Sequence, residues 1–162
     1  MRIAVVSDTH LPRGSRRVPA ACIERLEAAD LLVHAGDFVS LAFHAEMLAL
    51  GPPLAAVYGN VDELALRQRL PAERTVEAAG ARIGLVHDAG PARGRLARMR
   101  RRFPDAHAVV FGHSHIPLHE SDGEFQIFNP GSPTDRRRAP RHTMGVATVG
   151  ARRVRFEHIA LD

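Results

Sequence analysis

Ile3-Ala4-Val5-Val6-Ser7-Asp8-Thr9-His10 sets a pattern that the first half of the chain repeats. Four apolar residues of buried-strand type run into an acid and an imidazole at i and i+2. Leu31-Leu32-Val33 runs in the same way into His34-Ala35-Gly36-Asp37, and Leu54 to Tyr58 into Gly59-Asn60-Val61-Asp62. Helical spacing fills the gaps. Val18 to Ala29 places Ile23, Leu26 and Ala29 on one stripe, and Ser40 to Leu50 has Ser40 as N-cap and Gly51-Pro52-Pro53 as its stop. Asp62 reads as the N-cap of a third helix that runs to about Leu70 and closes at Pro71. Strand alternating with helix implies a parallel sheet with crossover connections. In such sheets the site lies at the carboxyl ends of the strands, which is where Asp8, His10, Asp37 and Asn60 fall.

The second half changes character. Arg74 to Ala79 and Ala81 to Val86 read as a hairpin around Gly80, the second strand ending in His87-Asp88. Ala92 to Phe103 reads as a basic helix. Val109-Val110-Phe111 is another buried strand and runs into Gly112-His113-Ser114-His115. If the backbone stays extended there, the two imidazoles project to the same side. Short strands follow around Leu118, Glu124 to Phe128, Thr143 to Val149 and Arg152 to Ile159, punctuated by Gly123, Gly131 and Gly150. The expected architecture is α/β, with two mixed sheets packed as a sandwich and helices outside. A chain of 162 residues fits one domain spanning residues 1–162.

Composition excludes several classes. Hydrophobic content of 45% and charged content of 25% are ordinary for a globular protein, and no apolar run is long enough to span a bilayer. The N-terminus has a short strand-like run and no signal-peptide pattern, so a cytoplasmic location is expected. Cys22, the single cysteine, falls in a helix and reads as a buried inert thiol. A pI near 10.7 suggests nucleic acid. Against that, the net charge is only +4, aromatics make up 5%, and the blocks Arg100 to Arg102 and Arg136 to Arg138 read as solvated faces.

The strand-end donors are Asp8, His10, Asp37, Asn60, His87, His113 and His115: two carboxylates, one amide, four imidazoles and no thiolate. Such a set suits Mn, Fe, Zn, Ni or Co, with Mn first. Seven donors exceed the needs of one tetrahedral zinc and fit two ions sharing a carboxylate. Two divalent ions, two aspartates and a bridging hydroxide leave about one positive charge, a sink for one phosphate group. Two ions roughly 3.5–4 Å apart can clamp an in-line displacement at phosphorus, and they bring bound water to neutral-pH reactivity.

In that order, Asp8-Thr9-His10, Gly36-Asp37, Gly59-Asn60, His87 and Gly112-His113-Ser114-His115 resemble the calcineurin-like metallophosphoesterase superfamily. The short length and Asn129-Pro130-Gly131-Ser132 resemble its small single-domain phosphodiesterase branch. The resemblance implies one metal held by Asp8, His10, Asp37 and His115, and a second held by Asp37, Asn60, His87 and His113, with Asp37 bridging. It implies hydrolysis of a small phosphodiester by a metal-bridging hydroxide, with Asp37, Asn60 and His113 in the catalytic centre. It also places Asn129 to Ser132 against the pocket wall.

Two positions depart from the family pattern. Many members carry His after the Gly-Asn pair where this chain has Val61, and Gly after the hairpin histidine where it has Asp88. A general acid contributes about 10²–10⁴ in rate, so Val61 argues for diesters with good leaving groups over monoesters. Asp88 reads as solvent-facing. A phosphomonoesterase with the same site, and a protein-interaction scaffold of the same fold, are the alternatives. His34, His44, His107, His119, His142 and His158 read as ordinary core or surface residues, only His34 lying near the site. The loop arginines Arg13 and Arg136 to Arg141 read as solvent-exposed. The physiological substrate, the native metal and any homo-oligomer are left open.

Overall fold

The computed structural model describes residues 1–162. Ten strands form two five-stranded sheets. The first sheet contains β1 (Arg2–Val6), β2 (Leu31–His34) and β3 (Leu54–Ala56) in parallel, extended by the antiparallel β9 (Thr143–Gly150) and β10 (Arg153–Ala160) in the order β10-β9-β1-β2-β3. The second has the order β4-β5-β6-β8-β7, from β4 (Glu73–Ala78), β5 (Ala81–Val86), β6 (Ala108–Val110), β7 (Leu118–Ser121) and β8 (Gln126–Asn129). In it β5, β6 and β8 are parallel, while β4 and β7 are antiparallel edges.

Three apolar layers hold these sheets. Ile3, Val5 and Val33 of one sheet interleave with Ile83, Leu85, Val110 and Phe128 of the other in the central layer. Alternate residues of β1 and β2, including Ala4, Val6 and Leu32, face away. They pack under α1 (Ala20–Glu27), α2 (Leu41–Leu48) and α3 (Leu64–Arg69) through Cys22, Leu26, Phe43, Met47 and Leu66. On the far side Met99 of α4 (Arg95–Arg102) joins Phe103, Val109, Phe111 and Ile127. The central strands are therefore apolar on both faces, which is why their sequences read as continuous runs rather than alternations.

The helix ends differ from the sequence expectation where side chains have other partners. Ser40 caps α2 as expected, accepting the Phe43 N–H at 3.1 Å. Asp62 does not cap α3. That helix begins at Leu64 after Glu63, because the Asp62 carboxylate binds backbone elsewhere. α4 starts three residues later than expected, after Gly94 in the left-handed region (φ 70°). No helix is long and apolar enough to cross a membrane.

Cys22 is fully buried, and burial pushes its thiol up to about 12. The thiolate, the reactive form, is thus suppressed at neutral pH. The native protein should show no reaction with an aromatic disulfide reagent over minutes, and one full equivalent in denaturant, read by absorbance.

Candidate metal centre

The carboxyl ends of β1, β2 and β3 stay level after the strands end. The loops continue side by side, with Asp8 N–H donating to Gly36 O (3.0 Å), His10 N–H to Asp37 O (3.0 Å) and Leu11 N–H to Phe38 O (2.8 Å). From the second sheet, Gly112 N–H donates to His87 O at 2.9 Å, keeping the ends of β5 and β6 together. The two edges meet where side chains are missing. A Cβ at Gly112 would collide with Ser7 and Asp8 and one at Gly36 with His87 across the two edges, while one at Gly59 would collide with Asp37 within the first edge. The glycines of Gly-Asn and Gly-His-Ser-His are therefore required for close approach.

Asp8, His10, His113 and His115 all adopt positive φ, between 47° and 69°, as does Asp37 at 61°. This corrects the extended-backbone expectation. β6 ends at Val110, and the two histidines lie in a turn beyond it. His113 and His115 consequently point to different places. His113 Nδ1 lies 3.0 Å from Asn60 Oδ1, while His115 Nε2 lies 3.4 Å from Asp8 Oδ1.

Five of the seven candidate donors form two overlapping groups, and Asn60 and His113 adjoin the second. Asp8, His10 and His115 form one buried group, and Asp8, Asp37 and His87 a second that overlaps it. Asp37 Oδ2 stands between them, 3.3 Å from His10 Nε2 and 3.3 Å from His87 Nε2. Its other oxygen accepts the Val61 N–H at 3.0 Å, which fixes the carboxylate plane. Asn60 Oδ1 sits 3.1 Å from His87 Nε2 and 3.0 Å from His113 Nδ1. The first group is closed to solvent, with Asp8 and His115 at 0% exposure. The Asn60 and His113 side is exposed and forms the mouth.

The donor atoms fit a cation. Both ring nitrogens of His10 and Nε2 of His115 are buried without a hydrogen-bond partner. Buried imidazole nitrogens are rarely left so, because the desolvation cost is about 1–3 kcal/mol each. Neighbouring donors on a metal with bonds of about 2.1 Å are ~3.0 Å apart in octahedral and ~3.4 Å apart in tetrahedral geometry. The contacts above, 3.0–3.4 Å, match that spacing.

Backbone carbonyls orient two of the rings. His87 Nδ1–H donates to Ala35 O at 2.7 Å and His115 Nδ1–H to Asp135 O at 2.5 Å, so in the neutral form of each ring the Nε2 lone pair faces the cluster. His34, stacked on Phe38 with centroids 3.5 Å apart, accepts the Gly36 N–H and reaches Thr9 Oγ1 at 3.0 Å. Burial holds its imidazole well below the ordinary value, so it is a neutral brace between the two loops.

Without a cation the charges conflict. Burial raises the Asp8 carboxyl to about 6. Burial also opposes ionisation of Asp37, but the adjacent His10 and His87 outweigh it and hold that carboxyl well below the usual range. Burial opposes charge on His87 too, yet the contact with Asp37 and the field of Asp8 lift it to about 9. Burial drops His115 to about 4, with Arg137 adding to the effect.

Several supporting residues lay outside the sequence expectation. Asp62, 3% exposed, accepts backbone N–H groups of Asp37 (3.1 Å), Val39 (2.7 Å) and Gly59 (2.7 Å), tying the loop after β2 to the loop after β3. Burial raises its carboxyl even against those three bonds. The Gly-Asn-Val-Asp spacing was the only signal, and it was equally that of a helix cap. Asn129 to Ser132 does brace the site: Asn129 Nδ2 donates to Gly112 O (2.8 Å), and Ser132 Oγ donates to Asp8 O (2.8 Å). Asp88 faces solvent as expected and closes a turn onto Gly90 N–H. A separate apolar groove of about 430 Å³ between α1 and α2, lined by Val18, Phe43 and Met47 among others, contains none of the cluster.

The fold and site define a two-sheet sandwich with a carboxylate–histidine cluster of metal-binding type at its edge. Residues 1–152 match the calcineurin-like phosphoesterase superfamily domain. A probable metallophosphoesterase of Methanothermobacter thermautotrophicus is 32% identical over 136 residues, covering 83% of this chain and 78% of its own. The chain belongs to that superfamily. Among solved structures, an archaeal phosphodiesterase aligns with TM-score 0.74 at 23% identity over 98% of this chain and 100% of the other. Entamoeba histolytica Vps29 complexed with zinc aligns with TM-score 0.77 at 20% identity, covering both chains fully. These two alignments confirm the fold.

Asp62→Asn keeps the volume and replaces one acceptor oxygen by a donor facing N–H groups. It should lower unfolding free energy by on the order of 2–4 kcal/mol in urea titration. An effect below 0.5 kcal/mol would contradict the bracing role. Gly112→Ala should leave the protein folded but unable to retain metal, measured by elemental analysis after gel filtration.

Proposed function

We propose that this protein is a metal-dependent phosphodiesterase whose two cations are held by Asp8, His10, Asp37 and His115 and by Asp37, Asn60, His87 and His113. The observation that carries the reading is the set of partnerless imidazole nitrogens of His10 and His115, buried against Asp8 and Asp37. Manganese is the first choice for this oxygen and nitrogen set, with nickel, zinc, iron and cobalt also suited. When bound, the pair supplies a Lewis acid for the phosphoryl oxygens and a water acidified to neutral-pH reactivity.

The chain's own residues set the rest. Asp37, pinned through Val61 N–H, lies between the two donor groups and fixes their separation. The buried group has no access, so substrate approaches over Asn60 and His113. His113 is exposed there and its backbone N–H is held by the Asp8 carboxylate at 3.0 Å, which locks its position at the mouth. Val61, 42% exposed at the same mouth, cannot give a proton to a departing alcohol. Diesters with acidic leaving groups therefore suit the site better than alkyl monoesters, whose dianions ask for more positive charge and more acid help.

With manganese restored, wild type should hydrolyse bis(p-nitrophenyl) phosphate, while Asp37→Ala should show less than about a thousandth of that rate. Equal rates would remove the proposal. In the same preparation kcat/KM for the diester should exceed that for p-nitrophenyl phosphate. Val61→His should raise turnover of alkyl phosphodiesters about tenfold or more relative to aryl ones; an unchanged ratio would show that leaving-group protonation does not limit this site.

A further inference from the structure

The positive charge of this chain is concentrated beside the cluster. The loop 11–17, which follows His10, and the loop 133–141, which carries the carbonyl that orients His115, contain seven arginines and one acid, Asp135. The remaining residues hold more acids than arginines, although the whole chain is +4. Arg16 joins the loops through an ion pair with Asp135 at 3.0 Å. The other six lie beyond ion-pair distance of any carboxylate, and Arg13, Arg17, Arg137 and Arg138 are exposed with no side-chain hydrogen bond in the protein.

In the chain's other basic block two of the three arginines are paired, Arg101 being the exception. On α4, Arg100 pairs with Asp122 and Glu124, and Arg102 with Glu73. Neither loop contains an aromatic residue on which a base would stack. Unpaired guanidinium groups within one local patch match phosphate oxygens, which they bind in bidentate fashion. The scissile phosphoryl group is already accounted for by the cluster.

We propose that Arg13, Arg17, Arg137 and Arg138 form an anion subsite flanking the cluster, and that the substrate is a small phosphodiester carrying at least one further phosphate group. The substrate class rests on the phosphodiesterase reading above, whereas anion binding by the two loops does not require it. Arg137 is the central member. It stands two residues beyond Asp135, whose carbonyl holds His115, and its charge is felt at that imidazole.

Calorimetry on the metal-free protein of 162 residues compares thymidine 3′,5′-bisphosphate with thymidine 5′-monophosphate. The bisphosphate should bind about tenfold tighter or more at low salt, with the margin shrinking as salt rises. The double variant Arg13→Gln/Arg137→Gln, its fold verified by thermal melting, should bring the ratio close to one. Equal affinities in wild type would overturn the subsite. A twenty-residue single-stranded oligonucleotide that binds far more tightly than the bisphosphate, with a steep salt dependence, would also overturn it in favour of a polymer surface. A second assay uses the p-nitrophenyl ester of thymidine 5′-phosphate with and without a 3′-phosphate on manganese-loaded protein. A higher kcat/KM for the 3′-phosphorylated ester supports the substrate class. Hydrolysis of neither ester, with the binding preference intact, supports the anion subsite while removing the phosphodiesterase reading and the substrate class with it.

Discussion

Two β-sheet edges approach so closely here that side chains are excluded at the seam. Gly112 lies against Ser7 and Asp8, and Gly36 lies against His87. This contact brings carboxylates from one sheet against imidazoles from the other. The apolar layer between the sheets supplies the force, since Ile3, Val5, Val33, Ile83, Leu85 and Val110 are all excluded from water. The polar groups at the top of that layer are buried as a consequence. Burial then sets their chemistry, raising Asp8, lowering His115 and forcing Asp37 and His87 to share charge. A cluster in that condition satisfies its orphaned nitrogens with a cation far better than with protons alone.

Much of this was legible in the chain because it is written locally. A buried strand run followed by an acid, amide or imidazole occurs five times, and each time the polar residue reaches the same edge of the sandwich. The parallel core β1-β2-β3, the β4–β5 hairpin and the N-cap at Ser40 were equally local. What failed was geometry beyond the strand end. The two histidines of Gly112 to His115 are separated by left-handed backbone rather than aligned by extended backbone, and that conformation depends on the close contact with Asp8 from the other sheet. Asp62 was misread for a similar reason. Its three backbone partners lie on other loops, so spacing alone could not tell a brace from a helix cap. The orienting carbonyl of Asp135 has no side-chain signature at all.

The electrostatic division of the molecule follows the same layout. The buried half of the cluster is closed, while the Asn60–His113 half opens to solvent. Six arginines beyond ion-pair distance of a carboxylate lie on the two loops attached to His10 and His115, and Arg16 and Asp135 hold those loops together.

The central claim is that seven side chains enclose a pair of cations on either side of Asp37. Anomalous diffraction from a crystal grown with manganese tests it most directly. The account predicts two peaks straddling Asp37, one in bonding range of Asp8, His10 and His115 and the other of Asn60, His87 and His113. A map with no peak at this edge, or with its only peaks away from Asp37, would contradict it.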